Sequence, residues 1–485
     1  MIAGLAHYLS LLYWVVFTMR IYGYLPWWQC VSLLVLLATY LALYPGTFAL
    51  CLVHFCRKPA HLILIAPVLW VALEYVRTFL LTGFPWGIVG YSQFNQLHIV
   101  QISDMFGVYG VSYLVILFNC AVYVVLLGAA GKKWHDRVSG KREMLLAAIS
   151  ALGLIGLALV YGSMRIKTMD AAMADAESPR MAVVQGNINQ AQKWDPAFQI
   201  STTKKYLDLT RSAAAGKPDL VIWPETATPF YFGASPKLTQ LVIDTVRQTG
   251  ISLLVGSPSV REEGGRSVFY NSAYLIAPDG QTLGRYDKVH LVPFGEYVPL
   301  KRLLSFAGKM VAQVGDFASG EKGHTLALGE GRPDIGVQIC FEIIFPGLSR
   351  SLVKNGAGVL VNLTNDAWFG ESSAAFQHFS MTVFRAVENR RSLVRCANTG
   401  ISGFIDPVGR VVAKTELFED AVVDRPVPVI TQTAIYTRIG DAFAMTCLIV
   451  LLVLTGRFVF GARPNGPMSR MLRLFDRLRP WAGRK

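Results

Sequence analysis

Charged residues are scarce in this sequence. Asp, Glu, Lys and Arg make up 16% of its 485 residues, whereas hydrophobic residues make up 53%. An ordinary soluble domain has about 25% charged residues, so a soluble enzyme of this size would have to bury too much apolar surface. The composition also excludes a disordered chain and a collagen-like fibre. Cysteine is sparse as well, with 7 residues, so disulfides cannot be the main support of the fold.

Acidic and basic residues are missing altogether from several long stretches, such as Trp28–Val53 and Met144–Tyr161. A helix that crosses a bilayer needs about 20 mostly apolar residues. Glu74 and Arg77 are almost the only charges inside such a stretch, and we expect them to form a salt bridge at the membrane interface. The sequence predicts six membrane spans, at about 4–20, 30–54, 61–82, 107–130, 144–162 and 438–460.

Basic residues cluster in the loops on one side of these spans. They follow the second span (Arg57 and Lys58), the fourth span (132–142) and the last span (461–485), whereas loop 83–105 has no Lys or Arg. Because basic loops stay in the cytoplasm, we expect cytoplasmic termini and residues 163–437 on the other side. The tail predicts a basic amphipathic helix on the anionic leaflet. Nucleic acid explains the net charge of +14 less well, because no reading motif accompanies it.

The residues between Arg165 and Arg438 have a different pattern of apolar and polar residues. Short apolar runs of strand length recur there, and segments 198–214 and 235–249 have helical spacing. Such a mixture predicts a layered α/β domain. The chain therefore divides into an N-terminal bundle of about five spans (1–162), an α/β domain (163–437), a last transmembrane helix (438–460) and a basic cytoplasmic tail (461–485).

Three side chains that can carry chemistry lie in three short segments of the α/β domain. Glu225 comes after a strand-like run and a Pro, Lys288 lies in segment 284–296, and Cys340 ends the run 335–340. Taken singly, such a Cys is usually a small buried hydrophobe, and such a Glu is often a helix-capping acid. Together they supply a thiol nucleophile, a carboxylate that takes its proton and an ammonium group that stabilises an oxyanion. This combination indicates covalent acyl transfer.

Motifs for other hydrolytic chemistries are absent. The sequence has no HExxH or CxxC, and His290, His324 and His378 show no metal-ligand spacing. The GxSxG elbow of serine hydrolases is also missing. We therefore expect neither a metal nor a dissociable cofactor.

Four segments taken together resemble the Glu–Lys–Cys carbon–nitrogen hydrolases, or nitrilase superfamily. They are WPE at 223–225, YDKVHL at 286–291, ICFE at 339–342 and NLTNDAWFG at 362–370. The resemblance covers about 180–415 and implies an αββα sandwich. Since this domain is inserted before the last membrane span, the whole chain resembles the apolipoprotein N-acyltransferases. The segments TGFPW at 82–86 and HLVPFGEYVP at 290–299 agree with that family.

The resemblance also implies roles for individual residues. Glu225 would be the general base, Lys288 the stabiliser of thiolate and oxyanion, and Cys340 the nucleophile. The family's supporting residues correspond to Trp194, Glu296, Phe341 and Glu342. Phe341 stands where the family commonly has Tyr, so a ring is kept and a hydroxyl is lost. The family usually has eight spans, and the even difference from six keeps the α/β domain on the same side of the membrane.

The implied reaction is a two-step acyl transfer in the cell inner membrane, with the α/β domain in the periplasm. A phospholipid would donate an acyl chain to Cys340, and the α-amine of S-diacylglyceryl-cysteine on an apolipoprotein would accept it. The expected partners are therefore phospholipid, the diacylated apolipoprotein and the bilayer, but no nucleic acid. We expect a monomer in which Cys340 and Cys396, the two cysteines of the α/β domain, stay unpaired.

Three other interpretations stay open from the sequence. A membrane-tethered amidase would pass the acyl group to water, and the three reactive residues alone do not exclude it. A transporter-like protein would need polar residues within its spans, and the spans hold almost none. An inactive, lipid-binding paralogue is the third. The apolar segments 297–312 and 368–384 flank the motifs. They would form either a lid or membrane-dipping arm, or ordinary surface loops.

Overall fold

The computed structural model describes residues 1–298 and 317–460 of the chain. The α-helices in these ranges are Ile2–Leu11 (α1), Trp14–Ile21 (α2), Trp27–Phe55 (α3), Pro59–Phe79 (α4), Leu97–Val100 (α5), Ser103–Ala129 (α6), Lys141–Ala174 (α7), Gln199–Ala214 (α8), Pro236–Thr249 (α9), Pro346–Lys354 (α10), Ser373–Asn389 (α11), Ile435–Ile439 (α12) and Ala442–Phe460 (α13). The β-strands are Lys133–Trp134 (β1), Arg137–Val138 (β2), Arg180–Gln185 (β3), Leu220–Ile222 (β4), Ser252–Glu263 (β5), Arg266–Ile276 (β6), Thr282–Asp287 (β7), Asp334–Ile339 (β8), Ala357–Thr364 (β9), Ser392–Ala397 (β10), Gly403–Ile405 (β11), Val411–Lys414 (β12) and Ala421–Pro426 (β13).

The predicted membrane spans correspond to apolar helices. Helices α3, α4, α6 and α7 are long and apolar enough to cross a bilayer. The first predicted span is a pair of helices, α1 and α2, bent by 53° at a short break. The last one is α13, a shorter apolar helix. The predicted combination of a helical membrane part with an α/β domain is therefore confirmed.

The α/β domain is built on two sheets. One has six strands in the order β13-β3-β4-β5-β6-β7, and the other has five in the order β12-β11-β10-β9-β8. Strands β3, β4 and β5 run parallel, as do β8, β9 and β10, whereas β6, β7, β11, β12 and β13 pair antiparallel with their neighbours. The helices α8 and α9 connect the first parallel set, and α10 and α11 connect the second, as parallel pairing requires.

Alternation along strand β3 shows how the layers stack. Met181 and Val183 face the large core that also contains residues of the five-stranded sheet, such as Val361. Their neighbours Ala182 and Val184 face a second core beneath α8 and α9. Successive side chains of a strand point to opposite faces, so each sheet has the other on one side and helices on the other. This is the αββα sandwich that the sequence resemblance implies.

Buried polar contacts join the membrane part to the α/β domain. Arg390, which follows α11, bonds Asp104 of α6 at 2.7 Å, and both side chains are buried. The backbone N–H of Val108 in α6 donates to Glu388 of α11 at 2.9 Å. Helix α7 continues past residue 162 to Ala174, and its Arg165 also pairs with Asp104 at 2.9 Å. Charges buried at this depth are tolerated because they are paired and hydrogen-bonded.

The predicted interfacial salt bridge between Glu74 and Arg77 is wrong. Both side chains are buried, and each takes a different partner. Glu74 accepts a hydrogen bond from the backbone N–H of Val89 at 2.8 Å, and Arg77 donates to the hydroxyl of Tyr8 at 2.6 Å. The polar side chains of α4 therefore fasten a loop and α1 within the bundle. The predicted amphipathic helix of the tail, and most of the flanking segment 297–312, lie outside the described residues.

Candidate active site

The three candidate residues all follow strands. Glu225 lies just beyond the carboxyl end of β4, Lys288 comes directly after β7, and Cys340 comes directly after β8. Ends of buried strands hold side chains in fixed positions at the edge of a sheet. In open α/β sheets, ligands bind outside the carboxyl ends of the strands, so this edge of the sandwich is a suitable place for a reactive group.

A buried polar cluster forms around Lys288, which is 1% exposed. Its ammonium group lies 2.9 Å from a carboxylate oxygen of Glu296 and 3.4 Å from one of Glu225. The side-chain amide of Asn271 donates to both carboxylates, at 2.8 and 2.9 Å. The backbone N–H of Asn365 donates to the second oxygen of Glu225 at 2.9 Å. Both carboxylates beside the lysine are thus hydrogen-bonded, whereas the amide oxygen of Asn271 has no partner among the described residues.

Electrostatics set the protonation of the lysine and the thiol. Burial alone lowers the pKa of an ammonium group, but the neighbouring carboxylates and thiol outweigh it and raise the pKa of Lys288. Burial and then Glu225 raise the pKa of Cys340, whereas Lys288 lowers it. The resting pair is therefore an ammonium ion and a neutral thiol, and the thiol needs a base before it can attack.

The backbone of Cys340 adopts an unusual conformation. Its φ angle is +52°, in the left-handed region that costs an L-residue roughly 1–2 kcal/mol. Its carbonyl oxygen accepts hydrogen bonds from the ring of His378 at 3.2 Å and from the side-chain amide of Asn362 at 3.4 Å. Such strain persists only where surrounding contacts enforce it. The turn presents the thiol at the strand end instead of leaving it inside the sheet.

Glu342 ties the segments that carry the lysine and the cysteine to each other. One carboxylate oxygen accepts from the backbone N–H groups of Val289 and His290, at 2.6 and 3.0 Å. The other accepts from the backbone N–H of Ile339 at 2.6 Å and from the hydroxyl of Tyr286 at 2.9 Å. Burial raises the pKa of Glu342 to about 7, although the backbone hydrogen bonds and Lys288 oppose the shift. The sequence resemblance singled out this acid, and the structure places it between the two strand ends.

The two aromatic candidates lie differently. Phe341 is half-buried and packs edge-on against Phe345, with ring centroids 5.4 Å apart. The ring of His290 lies 6.0 Å from that of Phe341, and burial, with the charge of Lys288, lowers its pKa to about 4. Trp194 lies on the loop after β3, and 47% of it is exposed. Trp194 is therefore available to a ligand, whereas Phe341 belongs to an aromatic cluster beside the nucleophile.

A second buried lysine escaped the sequence analysis. Lys193 is 1% exposed, and its ammonium group donates to the backbone carbonyl of Glu225 at 3.3 Å and to the hydroxyl of Thr226 at 2.7 Å. Thr226 has a φ angle of +46°. Burial lowers the pKa of Lys193 to about 8, against the opposing charge of Glu225. Lys193 therefore fixes the turn that carries Glu225. The sequence resemblance selected its neighbour Trp194 and passed over Lys193.

A cleft of about 680 Å³ opens between the membrane part and the α/β domain. One wall is aromatic and consists of side chains of α2 and of the residues on either side of it, Tyr13 and Tyr22. The other wall is rich in amide side chains and includes Gln190. Gln190 accepts a hydrogen bond from the side chain of Asn365, whose backbone N–H bonds Glu225. The cleft thus adjoins the polar cluster of the site.

Within the described residues, no group of three or more His, Cys, Asp or Glu side chains is arranged to hold a metal ion. Both cysteines of the α/β domain are free thiols. The thiol of Cys396 is fully buried and lies against the backbone carbonyls of Val184 and Ile222, at 3.5 and 3.2 Å. Cys396 is therefore a core residue of the sandwich.

Sequence profiles match both parts of the chain. The carbon-nitrogen hydrolase profile matches residues 180–434, and the profile of the apolipoprotein N-acyltransferase N-terminal domain matches residues 1–121. A relative from Geobacter metallireducens, named apolipoprotein N-acyltransferase, is 44% identical over 92% of this chain and 84% of its own length. The chain belongs to the apolipoprotein N-acyltransferase family. A relative of the same name from Rickettsia prowazekii is 32% identical over 93% of this chain and 87% of its own length. The predicted multi-pass membrane protein agrees with this family.

Two solved structures are also similar. An amidase from Nesterenkonia sp. covers 56% of this chain and 96% of its own, with 19% identity and a TM-score of 0.41. Saccharomyces cerevisiae Nit3, a member of branch 10 of the nitrilase superfamily, covers 52% of this chain and 90% of its own, with 18% identity and a TM-score of 0.40. The fold assignment rests on the carbon-nitrogen hydrolase profile and on the two stacked sheets.

Proposed function

We propose that this protein transfers an acyl chain from a membrane phospholipid to the α-amine of S-diacylglyceryl-cysteine on an apolipoprotein. The observation that carries the proposal is the buried pair of Lys288 and Glu225, at the strand ends next to Cys340, in a chain that belongs to this family. Its relatives' name states the acceptor, and a thiol with a nearby base suits acyl transfer.

In the first half-reaction, the carboxylate of Glu225 takes the proton of the Cys340 thiol, and the sulfur attacks the ester carbonyl of the phospholipid. The ammonium group of Lys288 stabilises the oxyanion that forms. When the intermediate collapses, the carbon–oxygen bond breaks and Glu225 returns the proton to the leaving oxygen. A lysophospholipid departs, and a thioester remains on Cys340.

In the second half-reaction, the neutral α-amine of the apolipoprotein attacks the thioester carbonyl. Glu225 takes a proton from the attacking nitrogen, and Lys288 again stabilises the oxyanion. The carbon–sulfur bond breaks, and the proton passes to the sulfur of Cys340. The products are an amide on the lipoprotein and a free thiol, so no metal or redox partner is needed.

An amidase that passes the acyl group to water is the main alternative. The cleft beside the site favours transfer, because aromatic side chains of α2 and its flanking residues form one of its walls and both proposed substrates are anchored in the membrane. We expect purified protein with phospholipid and a diacylglyceryl lipopeptide to yield triacyl lipopeptide and lysophospholipid in equal amounts. Mass spectrometry measures both products, and C340A is the matched control.

The product ratio decides between the alternatives. Free fatty acid in place of triacyl lipopeptide, at saturating lipopeptide, would identify a hydrolase. Binding of phospholipid with no product at all would identify an inactive, lipid-binding protein.

We propose that Glu296 holds the ammonium group of Lys288 in place and keeps it charged. It supplies the closer of the two carboxylate contacts to Lys288, and its other oxygen accepts from the backbone N–H of Val292 at 2.8 Å. Glu296→Gln removes a charge but keeps the size of the side chain. We expect thioester formation to slow about tenfold or more, as loss of a charged hydrogen bond would give, while the domain stays folded. Glu263→Gln, at the exposed end of β5, is the control. Acylation by Glu296→Gln at the wild-type rate would leave Glu296 with a structural role only.

The proposed location is the cell inner membrane, with the α/β domain in the periplasm and both termini in the cytoplasm. The loop after α3 and the loop between α6 and α7 meet, because Trp134 donates from its indole to the carbonyl of Cys56 at 2.5 Å. Phe458, near the end of α13, packs edge-on against His54 at 5.0 Å. The two basic loops and the end of α13 thus share one end of the bundle, which supports a single cytoplasmic face.

Labelling with a membrane-impermeant maleimide tests this orientation. Gln240 and Asp136 are exposed residues on opposite sides of the proposed membrane. In cells with a permeabilised outer membrane, Gln240→Cys is expected to react and Asp136→Cys to react only after lysis. The unsubstituted protein reports the background from its own cysteines. The reverse pattern would overturn the orientation and, with it, access to periplasmic lipoproteins.

A further inference from the structure

The main chain at the proposed nucleophile is held by a side chain that the proposed mechanism does not use. His378 of α11 is fully buried, and its Nε2 lies 3.2 Å from the carbonyl oxygen of Cys340. Because an acceptor carbonyl needs a donor, Nε2 must carry the proton. The bond fixes the residue whose backbone is in the left-handed region.

The other ring nitrogen of His378 is fixed as well. Its Nδ1 lies 3.0 Å from a guanidinium nitrogen of Arg395 and 3.1 Å from a carboxylate oxygen of Asp366. Arg395 and Asp366 form a buried ion pair at 2.7 Å. Burial and the charge of Arg395 lower the pKa of His378, against Asp366. A neutral ring then accepts from Arg395 at Nδ1 and donates to Cys340 at Nε2.

The face of the same ring is covered by the membrane part of the chain. Trp86, in the loop between α4 and α5, stacks on His378 with centroids 5.5 Å apart and planes 26° apart. Its indole donates to the side chain of Gln377 at 2.6 Å, and Gln377 donates in turn to the carbonyl of Leu11 at the end of α1. Trp86 is 1% exposed. Two segments of the membrane part, the loop that carries Trp86 and the end of α1, therefore contact the consecutive residues Gln377 and His378 of α11.

We propose that Trp86 and His378 are positioning residues, through which the membrane part of the chain holds the main chain of Cys340 in its reactive position. This inference rests on the proposed function in one respect, that Cys340 is the nucleophile. The contacts of Trp86 and His378 do not depend on that function. Without the ring, the carbonyl of Cys340 keeps, among the described residues, the longer bond from Asn362 alone. The strained turn can then relax, which moves the sulfur away from Glu225 and Lys288. Misplacement of a reacting group by about 1 Å can cost roughly 100-fold in rate.

The test compares Trp86→Leu and His378→Ala with Trp134→Leu in the full-length protein. Trp134 also donates one indole hydrogen bond, but at the opposite end of the bundle. For the first two variants we expect kcat for thioester formation from phospholipid in micelles to fall about tenfold or more, with little change in KM. Trp134→Leu is expected to match the wild type. The conservative variants Trp86→Phe and His378→Gln, which keep a ring and a donor, should recover part of the loss.

Alkylation by iodoacetamide gives a readout that does not depend on acyl transfer. Cys340 is 8% exposed and Cys396 is fully buried. A loosened turn should make Cys340 react at least about threefold faster while Cys396 stays unlabelled. Unchanged alkylation of Cys340, or acylation at the wild-type rate, would overturn the inference. If Trp86→Leu or His378→Ala also makes Cys396 reactive, the domain has opened. Trp86→Phe and His378→Gln then test the inference, by the rate of thioester formation and the rate of alkylation of Cys340. If wild-type protein gains no acyl mass, the proposed function fails, while the alkylation contrast still tests the positioning role.

Discussion

Purified protein given phospholipid but no acceptor is expected to gain the mass of one acyl chain, on Cys340. The thiol lies at the end of β8 with its proton still bound, because burial and then Glu225 raise its pKa. Attack requires transfer of that proton to Glu225, after which the product is a thioester. Neutral hydroxylamine should remove the added mass, since it cleaves thioesters and leaves oxygen esters and amides intact. Intact-protein and peptide mass spectrometry measure the label and locate it.

Cys396 provides the matched control for this experiment. It lies in the same domain, is also a free thiol and has a pKa that burial raises. Its sulfur faces the backbone between the two sheets, where no substrate can reach it. Cys340→Ala should therefore never acquire the label, and Cys396→Ala should acquire it at the wild-type rate. A label on Cys396, or one that persists in Cys340→Ala, would contradict the assignment of the nucleophile.

The sequence predicted the candidate triad in two ways, and its roles stay a prediction: Glu225 and Cys340 follow or end apolar runs, whereas Lys288 was selected by the motif resemblance alone. Such positions become strand ends in a layered domain, and the motif resemblance selected Glu225, Lys288 and Cys340 from many similar residues. The structure brings Lys288 to 3.4 Å from Glu225 across 63 positions of sequence. The membrane helices could also be predicted from the sequence, because a charge-free run of about 20 residues is rare in a chain that does not cross a bilayer.

The supporting residues were harder to predict because their burial depends on tertiary contacts. A lysine in a basic protein is usually solvated, so nothing local distinguishes Lys193 from the others, although the fold of its loop buries it against Thr226. His378 was considered only as a possible metal ligand, and its contacts with Asp366 and Arg395 bridge 12 and 17 positions of sequence.

Local spacing also misled the interpretation of Glu74 and Arg77. Residues three apart on a helix are neighbours and can form an ion pair. In the structure, however, each bonds a group from another element, the backbone of Val89 and the hydroxyl of Tyr8. A buried charge takes the partners that tertiary packing offers, and a periodicity argument along one helix does not include them.

Replacement of Lys288 by Met is expected to lower the rate of thioester formation by a factor of about 100 or more, the usual effect of losing charge stabilisation at an oxyanion. Glu225→Gln should have an effect of similar size, because an amide cannot accept the thiol proton. Gln at this position keeps one oxygen to accept from the backbone N–H of Asn365, but its NH2 group then faces the donors of Asn271 and Lys288, so a thermal melt is needed to show that the variant is folded. Single-turnover kinetics with phospholipid, followed by mass spectrometry, measure both rates.

Lys288→Met alone also leaves the carboxylates of Glu225 and Glu296 buried without their cation, and breaking a buried ion pair typically costs about 3–5 kcal/mol of stability. A loss of activity in that variant can therefore arise from lost catalysis or from lost stability, and the double variant Lys288→Met/Glu296→Gln separates the two. It removes one of the two uncompensated charges, so its thermal midpoint should recover towards that of the wild type. Its rate should stay at the low level of Lys288→Met, because no cation faces the oxyanion. If the double variant recovers its rate along with its stability, Lys288 holds the domain together and another group stabilises the transition state.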